Sequence, residues 1–383
     1  MRKIAVVVTA RPSYSRIKTA LRAIQEHPGL ELQLVVAASA LLERYGTAVK
    51  YMEADGFPIA ARVFNVLEGE NLTAQAKTTG LGIMELANVF ENLNPDVVVT
   101  VADRFETMAT AIAASYMNIP LAHIQGGEVT GNIDEKVRHA ITKLADRHLV
   151  ASEDARQRVI RMGEVEETVI NTGCPSIDLA ASVHAAPTLD FDVYERYGGV
   201  GERLDLSAGY LVVMQHPVTT EYADARRHVT LTLDVVHRLN IPTLWFWPNV
   251  DAGSDGTSKG IRVYREHHRD SKIHFFKNME GLDFLRVLYH AECLVGNSSV
   301  GIRECAFLGV PVVNIGTRQA GRQRGPNVMD TGYDAPGITA AIRAQMAHGR
   351  YPSTATYGGG DAGAKIASEL RRMPLTFAKR ITF

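Results

Sequence analysis

LAHIQGGEVTGNIDEKVRHAITK, residues 121–143, predicts a short strand, a polar loop and a helix in succession. Residues 121–125 are largely apolar, which is typical of a strand buried on both faces of a parallel sheet. Over 134–146 apolar residues recur every three or four positions, which is the spacing of an amphipathic helix. A strand followed at once by a helix is the repeating unit of a parallel α/β sheet.

The same alternation continues through the chain. Short runs rich in β-branched residues predict strands at 4–10, 32–38, 97–103, 121–125, 148–152, 169–173, 211–216, 243–249, 273–278, 293–299 and 311–316. The segments around them are long enough for helices, which we predict over 13–26, 72–92, 104–117, 134–146, 221–239 and 362–372. The predicted fold class is therefore α/β, with doubly wound parallel sheets.

A chain of 383 residues is too long for one ordinary core and predicts two Rossmann-like domains. No strand is predicted within 181–209, a polar and glycine-rich stretch that we interpret as the linker between the domains. We expect an N-terminal domain over 1–180, joined by a C-terminal helix within 360–383, and a C-terminal domain over 181–359. Ligands of open α/β sheets bind beyond the carboxyl ends of the strands, so we expect the ligand site in the cleft between the domains.

Composition and charge exclude several classes of protein. Lys plus Arg number 41 and Asp plus Glu 42, so the net charge of −1 lacks the basic excess that nucleic acid binding needs. The three cysteines, Cys174, Cys293 and Cys305, form no CxxC pair, which argues against a zinc site or a disulfide framework and predicts a reducing, cytoplasmic setting. The apolar run 4–10 predicts a first strand rather than a signal peptide, and no segment approaches the roughly 18 apolar residues of a membrane span.

Two strand ends in the N-terminal part carry charged side chains. Arg11 leaves the first predicted strand, Asp103 ends the third, and Arg104 follows it at once. Asp103 is either the cap of the following helix or a catalytic acid or base. For Arg11 a structural role and a ligand-binding role are equally open.

The opening stretch contributes an amide and three carboxylates. Asp134 can be the N-cap of helix 134–146, and Glu135 and His139 form an i,i+4 pair that we place on a solvated helix face. Glu128 follows two glycines and has no helix to cap, which favours a chemical role. Gln125 leaves the strand as an amide, which forms hydrogen bonds but cannot transfer a proton.

The stretch GNSSVGIRE, residues 296–304, predicts a phosphate site. A helix that starts near Gly301 leaves backbone N–H groups that favour phosphate, and Ser298 and Ser299 add hydroxyl donors. Glu304, one turn into the helix, can accept hydrogen bonds from ribose hydroxyls. The alternative is that Ser298 or Ser299 only caps the helix.

Two further strand ends in the C-terminal half carry cationic or titratable groups. His216 ends strand 211–216 and can orient a phosphate or donate a proton, although a lone histidine at a strand end is more often structural. Arg318 follows strand 311–316 by two residues and is predicted to bind an anionic ligand. Arg322 and Arg324 are predicted to lie on a solvated basic loop.

Taken together, the motifs ADRFE, HIQGGEVTGNIDEKVRHAITK, QHPVTTE, GNSSVGIRE and GTRQAGR resemble the UDP-N-acetylglucosamine 2-epimerases. The resemblance is to the hydrolysing branch, which feeds the synthesis of sialic and related nonulosonic acids. It implies the two-Rossmann arrangement of GT-B glycosyltransferases, with a C-terminal helix that crosses back to the first domain. It also implies a UDP-sugar substrate, no cofactor or metal, and a homodimer or homotetramer.

The resemblance further implies an anti-elimination followed by hydration. A base removes the proton from sugar carbon 2 while the anomeric C–O bond breaks, which releases UDP and leaves a 2-acetamidoglucal. Water then adds with inverted configuration at carbon 2 and yields free N-acetylmannosamine. This chemistry needs positioned carboxylates and strong stabilisation of the departing diphosphate.

Matching the motifs residue by residue assigns roles. Asp103 and Asp134 match the family's catalytic acids, and His216 matches a histidine at the UDP end. Our predicted catalytic set is Asp103, Glu128, Asp134 and His216. Our predicted substrate-binding set is Arg11, Arg104, Gln125, Ser298, Ser299, Gly301, Glu304 and Arg318.

One residue departs from the family pattern. Members often have glutamate where this chain has Gln125, so either Asp103, Glu128 and Asp134 suffice for proton transfer, or the sugar differs or the enzyme is slow. We expect the glycines of this loop to let a sugar ring approach.

Several other functions stay open. The same chemistry on UDP-2,4-diacetamido-2,4,6-trideoxyglucose, as in legionaminic acid pathways, is the nearest alternative. A non-hydrolysing epimerase that keeps UDP attached, a GT-B glycosyltransferase and a non-catalytic nucleotide-sugar sensor are the others.

Overall fold

A computed structural model describes residues 1–43, 47–67, 72–101, 104–129, 133–248 and 254–382. The chain divides into two units. Unit 1 consists of Met1–Asp178 together with the segment from Tyr357 onward, and unit 2 consists of Leu179–Thr356.

Unit 1 is built on a seven-stranded sheet in the order β3-β2-β1-β4-β5-β6-β7. Its strands are β1 Arg2–Val8, β2 Leu30–Ala37, β3 Ile59–Val63, β4 Val97–Val101, β5 Leu121–Ile124, β6 Arg147–Val150 and β7 Val169–Asn171. Its helices up to the unit boundary are α1 Arg11–Ser15, α2 Lys18–Glu26, α3 Ala48–Ala54, α4 Leu72–Leu93, α5 Thr107–Tyr116, α6 Ile133–Leu144, α7 Glu153–Arg161 and α8 Pro175–Ala185, which contains that boundary. Short 3-10 turns span Ala38–Leu41 and Glu166–Thr168.

Unit 2 is built on a six-stranded sheet in the order β10-β9-β8-β11-β12-β13. Its strands are β8 Leu211–Met214, β9 Thr243–Phe246, β10 Ile273–Phe276, β11 Cys293–Gly296, β12 Val312–Ile315 and β13 Val328–Thr331. Its helices are α9 Val193–Tyr197, α10 Ala225–Leu239, α11 Ser254–His267, α12 Gly281–Tyr289, α13 Ser299–Ile302, α14 Glu304–Leu308 and α15 Ala335–His348, with a 3-10 turn at Thr219–Asp224.

Both sheets are covered by helices on two faces. Ile4 and Val6 of β1 pack with α2 and α3, whereas Ala5 and Val7 of the same strand pack with α4, α5 and α6. Alternate strand residues thus enter separate cores, which explains why the strands are apolar throughout. All strand pairings within the two sheets are parallel, so the predicted pair of doubly wound α/β domains is confirmed.

The topology marks one position in each sheet for a ligand. Strand order reverses between β1 and β4 in unit 1 and between β8 and β11 in unit 2. Loops that leave neighbouring strands at such a switch point diverge to opposite faces and open a crevice at the carboxyl ends. Arg11 follows β1, and His216 and Ser298 follow β8 and β11, so three predicted site residues lie at these positions.

The last helix among the described residues is α16, Ala362–Arg372, the terminal helix predicted over 362–372. Ile366 and Leu370 of α16 pack into a core of unit 1. The Asp178 carboxylate accepts hydrogen bonds from the backbone N–H groups of Ala362 and Gly363, both at 2.8 Å, and thereby caps the helix.

The interpretation of 181–209 as a linker is wrong for much of that stretch. Residues up to Ala185 continue α8, and α9 forms within the stretch. Val193 is buried in the core of unit 2, and Val200 forms an antiparallel bridge with Phe275. The segment is polar because most of its surface is exposed, and a few apolar residues hold it to the sheet.

Within the described residues, no helix combines the length and apolar character required to span a membrane.

Candidate active site

Asn297 organises the carboxyl edge of the sheet in unit 2. It directly follows β11 and is 1% exposed. Its side-chain oxygen accepts from the His216 backbone N–H at 2.7 Å, and its Nδ2 donates to the His216 carbonyl at 2.9 Å. One amide therefore ties the loop after β8 to the loop after β11, at the switch point of the sheet. Sequence reasoning named the neighbouring serines and missed this residue.

The loop after β12 joins the same group. Arg318 Nη1 donates to the Asn297 carbonyl at 3.3 Å, and Gln319 Nε2 donates to it at 2.9 Å. The structure thus brings the predicted residues His216, Ser298 and Arg318 to one edge of unit 2. Gln319, which is 2% exposed, was not predicted because its contact lies 22 residues away in the chain.

The prediction of a solvated basic loop is wrong for Arg322 and Arg324. Arg322 is only 9% exposed. Arg324 forms an ion pair with Asp330 and donates to the Gln319 carbonyl. The Arg324 contacts hold the loop after β12, which carries Arg318, and Arg322 is buried in the same loop.

The GNSS segment has the local structure of a capped helix start. Ser298 Oγ accepts from the Val300 N–H at 3.4 Å, as the capping alternative predicted. Ser299 begins α13, which is four residues long and bends at Arg303 into α14, with the buried Glu304 in its first turn. A methyl at Gly301 would lie 2.9 Å from Val312 Cγ1, so this glycine lets α13 pack closely on the sheet. Contact of Ser299, Gly301 and Glu304 with a ligand stays a prediction.

Tyr333 lies beside the loop after β12 and was not singled out in the sequence. Its ring stacks on His228, with ring centres 3.5 Å apart and planes 6° from parallel. Burial and the nearby Glu221 carboxylate raise the pKa of Tyr333 to about 12, so its hydroxyl stays protonated at neutral pH. The phenol is therefore a neutral hydrogen-bonding group at this edge of unit 2.

In unit 1, the loop after β5 is packed against the neighbouring elements. A methyl at Gly127 would lie 2.5 Å from the Ala155 carbonyl oxygen, and one at Gly126 would lie 3.0 Å from His123 Nδ1. The backbone of Gly127 also has φ of +77°, which favours glycine. Packing against α7 and His123 therefore accounts for these two glycines, and approach of a sugar ring to this loop stays a prediction.

Gln125 is enclosed at the end of β5. The residue is 1% exposed, and its Nε2 donates to Cys174 Sγ at 2.9 Å. Cys174 was considered in the sequence only for metal or disulfide chemistry, and its proximity to Gln125 spans 49 residues.

Glu128 and Asp134 are linked to α6 in different ways. Glu128 is 5% exposed, and its carbonyl accepts from Arg138 Nη1 at 2.7 Å. Arg138 is itself 1% exposed and was missed because an arginine in a helix is usually solvated. Asp134 is the second residue of α6 and not its N-cap, at an end where the helix dipole favours a carboxylate. The predicted pair of Glu135 and His139 forms, at 3.4 Å.

The predicted residues after β4 and β1 are placed as follows. Asp103 lies outside the described residues. Arg104 pairs with the buried carboxylate of Glu106 at 3.3 Å, a partner that sequence reasoning missed. The Arg11 guanidinium lies 4.7 Å from the centre of the Tyr51 ring, a cation–π contact at the start of α1. Substrate contact by Arg11 and Arg104 stays a prediction.

The two units offer different chemistry. The loop after β5 and the start of α6 present carboxylates, which can exchange protons with a substrate. The edge of unit 2 presents a guanidinium, hydroxyls and amides, which suit an anionic and hydroxyl-rich ligand. Among the described residues, no three His, Cys, Asp or Glu side chains are grouped as a metal site requires.

Comparison with known proteins gives consistent results. The model of the family described as UDP-N-acetylglucosamine 2-epimerase matches residues 22–371. A UDP-N,N'-diacetylbacillosamine 2-epimerase (hydrolyzing) of Legionella pneumophila is 32% identical over 376 residues, covering 98% of this chain and 97% of that protein. A UDP-N-acetylglucosamine 2-epimerase of Neisseria meningitidis is 31% identical over 361 residues, covering 94% of this chain and 92% of that protein.

A solved structure matches the fold. The crystal structure of UDP-GlcNAc 2-epimerase from Neisseria meningitidis bound to UDP-GlcNAc superposes with a TM-score of 0.80. The match covers 96% of this chain and 99% of that chain at 18% sequence identity. At that identity the match concerns the fold, and it agrees with the predicted fold class.

Proposed function

The chain belongs to the UDP-N-acetylglucosamine 2-epimerase family, and we propose that it is a hydrolysing member that converts UDP-N-acetylglucosamine and water to N-acetylmannosamine and UDP. The proposal depends on which chemical groups each unit supplies. Unit 1 supplies carboxylates after β5, and unit 2 supplies hydrogen-bonding and cationic groups around Asn297 at the carboxyl edge of its sheet. Hydrolysis is supported by the Legionella pneumophila relative, which is named as a hydrolysing epimerase and matches this chain over almost its entire length.

Unit 2 is proposed to bind the UDP end. The contact between Arg318 and the Asn297 carbonyl holds the guanidinium in place at the strand ends, where it can stabilise the departing diphosphate. Ser298, Ser299 and the α13 backbone near Gly301 would add donors to the phosphates, and Glu304 would accept from the ribose hydroxyls. His216, whose backbone is bonded on both sides to Asn297, would complete the binding of the diphosphate.

Unit 1 is proposed to carry out proton transfer at the sugar. A carboxylate takes the proton from carbon 2, the electron pair forms the carbon 1–carbon 2 double bond, and UDP leaves with the anomeric C–O electrons. Water then adds its hydroxyl to carbon 1, while carbon 2 receives a proton on the opposite face. Glu128, Asp134 and Asp103 are the proposed acids and bases, and Arg11 and Arg104 would bind the substrate.

Gln125 cannot take part in these proton transfers, because a carboxamide neither gains nor loses a proton at neutral pH. Glu128 lies three residues further on the same loop and is buried, so we assign to it the proton transfer that a glutamate at position 125 would perform. The Arg138 contact supports this role, because it holds the Glu128 backbone against α6, which carries Asp134.

The similarity to the Legionella pneumophila relative supports a second UDP-sugar as the substrate. The Legionella pneumophila relative is named for its action on UDP-N,N'-diacetylbacillosamine, and it is 32% identical to this chain over 376 residues. The same chemistry on UDP-2,4-diacetamido-2,4,6-trideoxyglucose is therefore the alternative, since both sugars present a 2-acetamido group and the same carbon 2 proton.

A substrate panel tests the proposal. The protein is incubated in turn with UDP-N-acetylglucosamine, the 2,4-diacetamido analogue and UDP-glucose, UDP release is followed by phosphorus NMR, and sugars are identified by mass spectrometry and chromatography. We expect UDP and a free 2-epimer from one or both acetamido sugars. A 2-epimer still bound to UDP would contradict hydrolysis, and inertness towards both acetamido sugars would contradict the epimerase proposal.

A further inference from the structure

The backbone of Gln125 adopts an unfavourable conformation. Its φ is +65°, in the left-handed region that side chains other than glycine and asparagine seldom adopt. Its N–H is used in the sheet, where it donates to the Leu149 carbonyl at 2.9 Å. Strained residues of this kind cost on the order of 1–3 kcal/mol and concentrate at functional sites. A glycine at this position would adopt the same φ without strain. The presence of a glutamine therefore indicates that its side chain has a role.

The Gln125 carboxamide is held on one side only. Its Nε2 donates to Cys174 Sγ at 2.9 Å, and the same sulfur lies 3.0 Å from Ser176 Oγ. Cys174 is in turn fixed by its own backbone, because its N–H donates to the Tyr357 carbonyl at 2.7 Å within unit 1. Gln125 Oε1 is buried and has no hydrogen-bond partner among the described residues.

A buried acceptor that lacks a partner within the protein can take one from a bound ligand. In the observed orientation the sulfur accepts from Nε2, and Oε1 is left as the acceptor at the other end of the amide. The same strand end leads into the loop with Glu128 and then to Asp134, the carboxylates that we assign to the sugar.

We propose that Cys174, assisted by Ser176, is a positioning residue that orients the Gln125 carboxamide so that Oε1 accepts a hydrogen bond from an N–H or O–H group of the sugar. The inference rests on the proposed function for the identity of the ligand. Gln125 then contributes to recognition of the sugar and leaves proton transfer to the carboxylates.

Kinetics of Cys174 variants test the inference. A hydrogen bond present in both the bound substrate and the transition state affects KM and leaves kcat nearly unchanged. We expect Cys174→Ala to raise KM for the UDP-sugar about tenfold with kcat within about twofold. Cys174→Ser keeps a hydrogen-bonding atom and should restore most of the affinity. Cys293→Ala removes an equally buried sulfur from β11 of unit 2 and should leave KM unchanged.

A double-mutant cycle separates positioning from general destabilisation. If Cys174 acts through Gln125, the double variant Gln125→Ala/Cys174→Ala has the KM of Gln125→Ala alone. Additive effects of the two substitutions, or a wild-type KM in Cys174→Ala, would overturn the inference.

A spectroscopic measurement keeps the test independent of turnover. In protein labelled selectively with 15N-glutamine, the NMR signals of the Gln125 side-chain amide are assigned by their loss in Gln125→Ala. These signals should shift in Cys174→Ala and not in Cys293→Ala. Adding UDP-N-acetylglucosamine to the wild type should shift them again. If the amide signals are unchanged in Cys174→Ala, the positioning role is refuted, whether or not any UDP-sugar is turned over. If the signals shift but the protein turns over no UDP-sugar, the result counts against the proposed reaction alone.

Discussion

Asn297 shows how much of a strand-end site depends on one amide. Its side chain forms hydrogen bonds with the backbone N–H and the carbonyl of His216. Its own backbone carbonyl accepts hydrogen bonds from the side chains of Arg318 and Gln319. Asparagine suits the position because it supplies a donor and an acceptor from one rigid group. The three loops that we assign to UDP therefore share a single point of attachment.

Replacing Asn297 by alanine should weaken UDP binding. The change leaves the His216 N–H and carbonyl without their partners, and a buried polar group that loses its partner costs about 1–3 kcal/mol. We expect the Kd for UDP, measured by calorimetry, to rise about tenfold or more. The control is Asn327→Ala, which removes another buried amide from unit 2, one that donates to Val310 instead of to the strand-end loops. An equal loss of UDP affinity in both variants would contradict the account.

The carboxylates should behave differently from the UDP contacts. We expect Glu128→Gln and Asp134→Asn each to reduce turnover at least about a hundredfold, because general acid–base catalysis contributes about that much or more. The Kd for UDP should change little, since UDP is assigned to unit 2. Asp103→Asn is expected to act in the same way.

Glu135→Gln is the matched control for these variants. Glu135 adjoins Asp134 on the first turn of α6 but pairs with His139, so its loss should leave turnover within about twofold. Near-normal turnover in Glu128→Gln would remove Glu128 from the mechanism and return the question to Asp103 and Asp134.

At the scale of elements, the segment after α16 is anchored to α6. Lys379 Nζ donates to the Thr142 carbonyl at 2.9 Å and to the Ala145 carbonyl, at the C-terminal end of α6. It also pairs with Glu164 Oε2 at 2.6 Å. A cation at this end of a helix is favourable for the helix dipole. The last residues of the chain therefore stabilise the helix that begins near Asp134.

Lys379→Met should destabilise unit 1. The change leaves two helix carbonyls and the buried Glu164 without one partner, so we expect the free energy of unfolding to fall by about 1–3 kcal/mol in denaturant titrations. Lys365→Met is the control, because Lys365 forms an ion pair with Asp361 in which both side chains are about half exposed. Similar unfolding midpoints for the two variants would contradict the anchoring role.

The strands that were predicted correctly are those whose residues form a clear apolar run in the sequence. The central strands are buried on both faces and read as apolar runs, whereas β3 and β13 are edge strands with exposed positions and were missed. Helix 104–117 was predicted to begin too early, because the Arg104 carbonyl closes a turn onto Thr107 before α5 starts. Helix 13–26 is divided into α1 and α2, a break that hydrophobic spacing alone did not reveal.

For the whole molecule, the predicted site residues lie at strand ends as their positions in the sequence indicated, whereas the contacts that hold them could not be predicted. Strand ends identified Gln125, Glu128, His216 and Arg318 because ligands of α/β sheets bind at such ends. The contacts that hold those residues join positions 49 residues apart for Cys174 and 81 residues apart for Asn297. No local pattern encodes such pairings, which arise only when distant strands become neighbours in the sheet.

The contributions of His148 and Glu164 to the stability of the folded protein should be lost in two steps as the pH is lowered. Burial lowers the pKa of His148 below its ordinary value of 6.5, so the stability present above that value is lost as the pH falls below it. Burial alone would raise the pKa of Glu164, but hydrogen bonds from His148, Lys143 and Lys379 outweigh it and lower the pKa to about 2. The contribution of Glu164 is therefore lost between its ordinary value of 4.5 and about 2.

Thermal unfolding as a function of pH checks this expectation. His148→Gln keeps an N–H donor towards Glu164 but does not titrate, so its Tm should decline less than that of the wild type between pH 7 and pH 5. Parallel declines in the two proteins over that range would contradict the assignment of the first step to His148.

The central claim is that proton transfer at carbon 2 accompanies release of UDP. The most direct measurement is incubation of the protein with UDP-N-acetylglucosamine, and in parallel with the 2,4-diacetamido analogue, in deuterated water, followed by proton NMR of the products. We expect free sugar of inverted configuration at carbon 2, with deuterium on that carbon, in step with the appearance of UDP. A free sugar that retains its original proton at carbon 2, or a 2-epimer that remains bound to UDP, would contradict it.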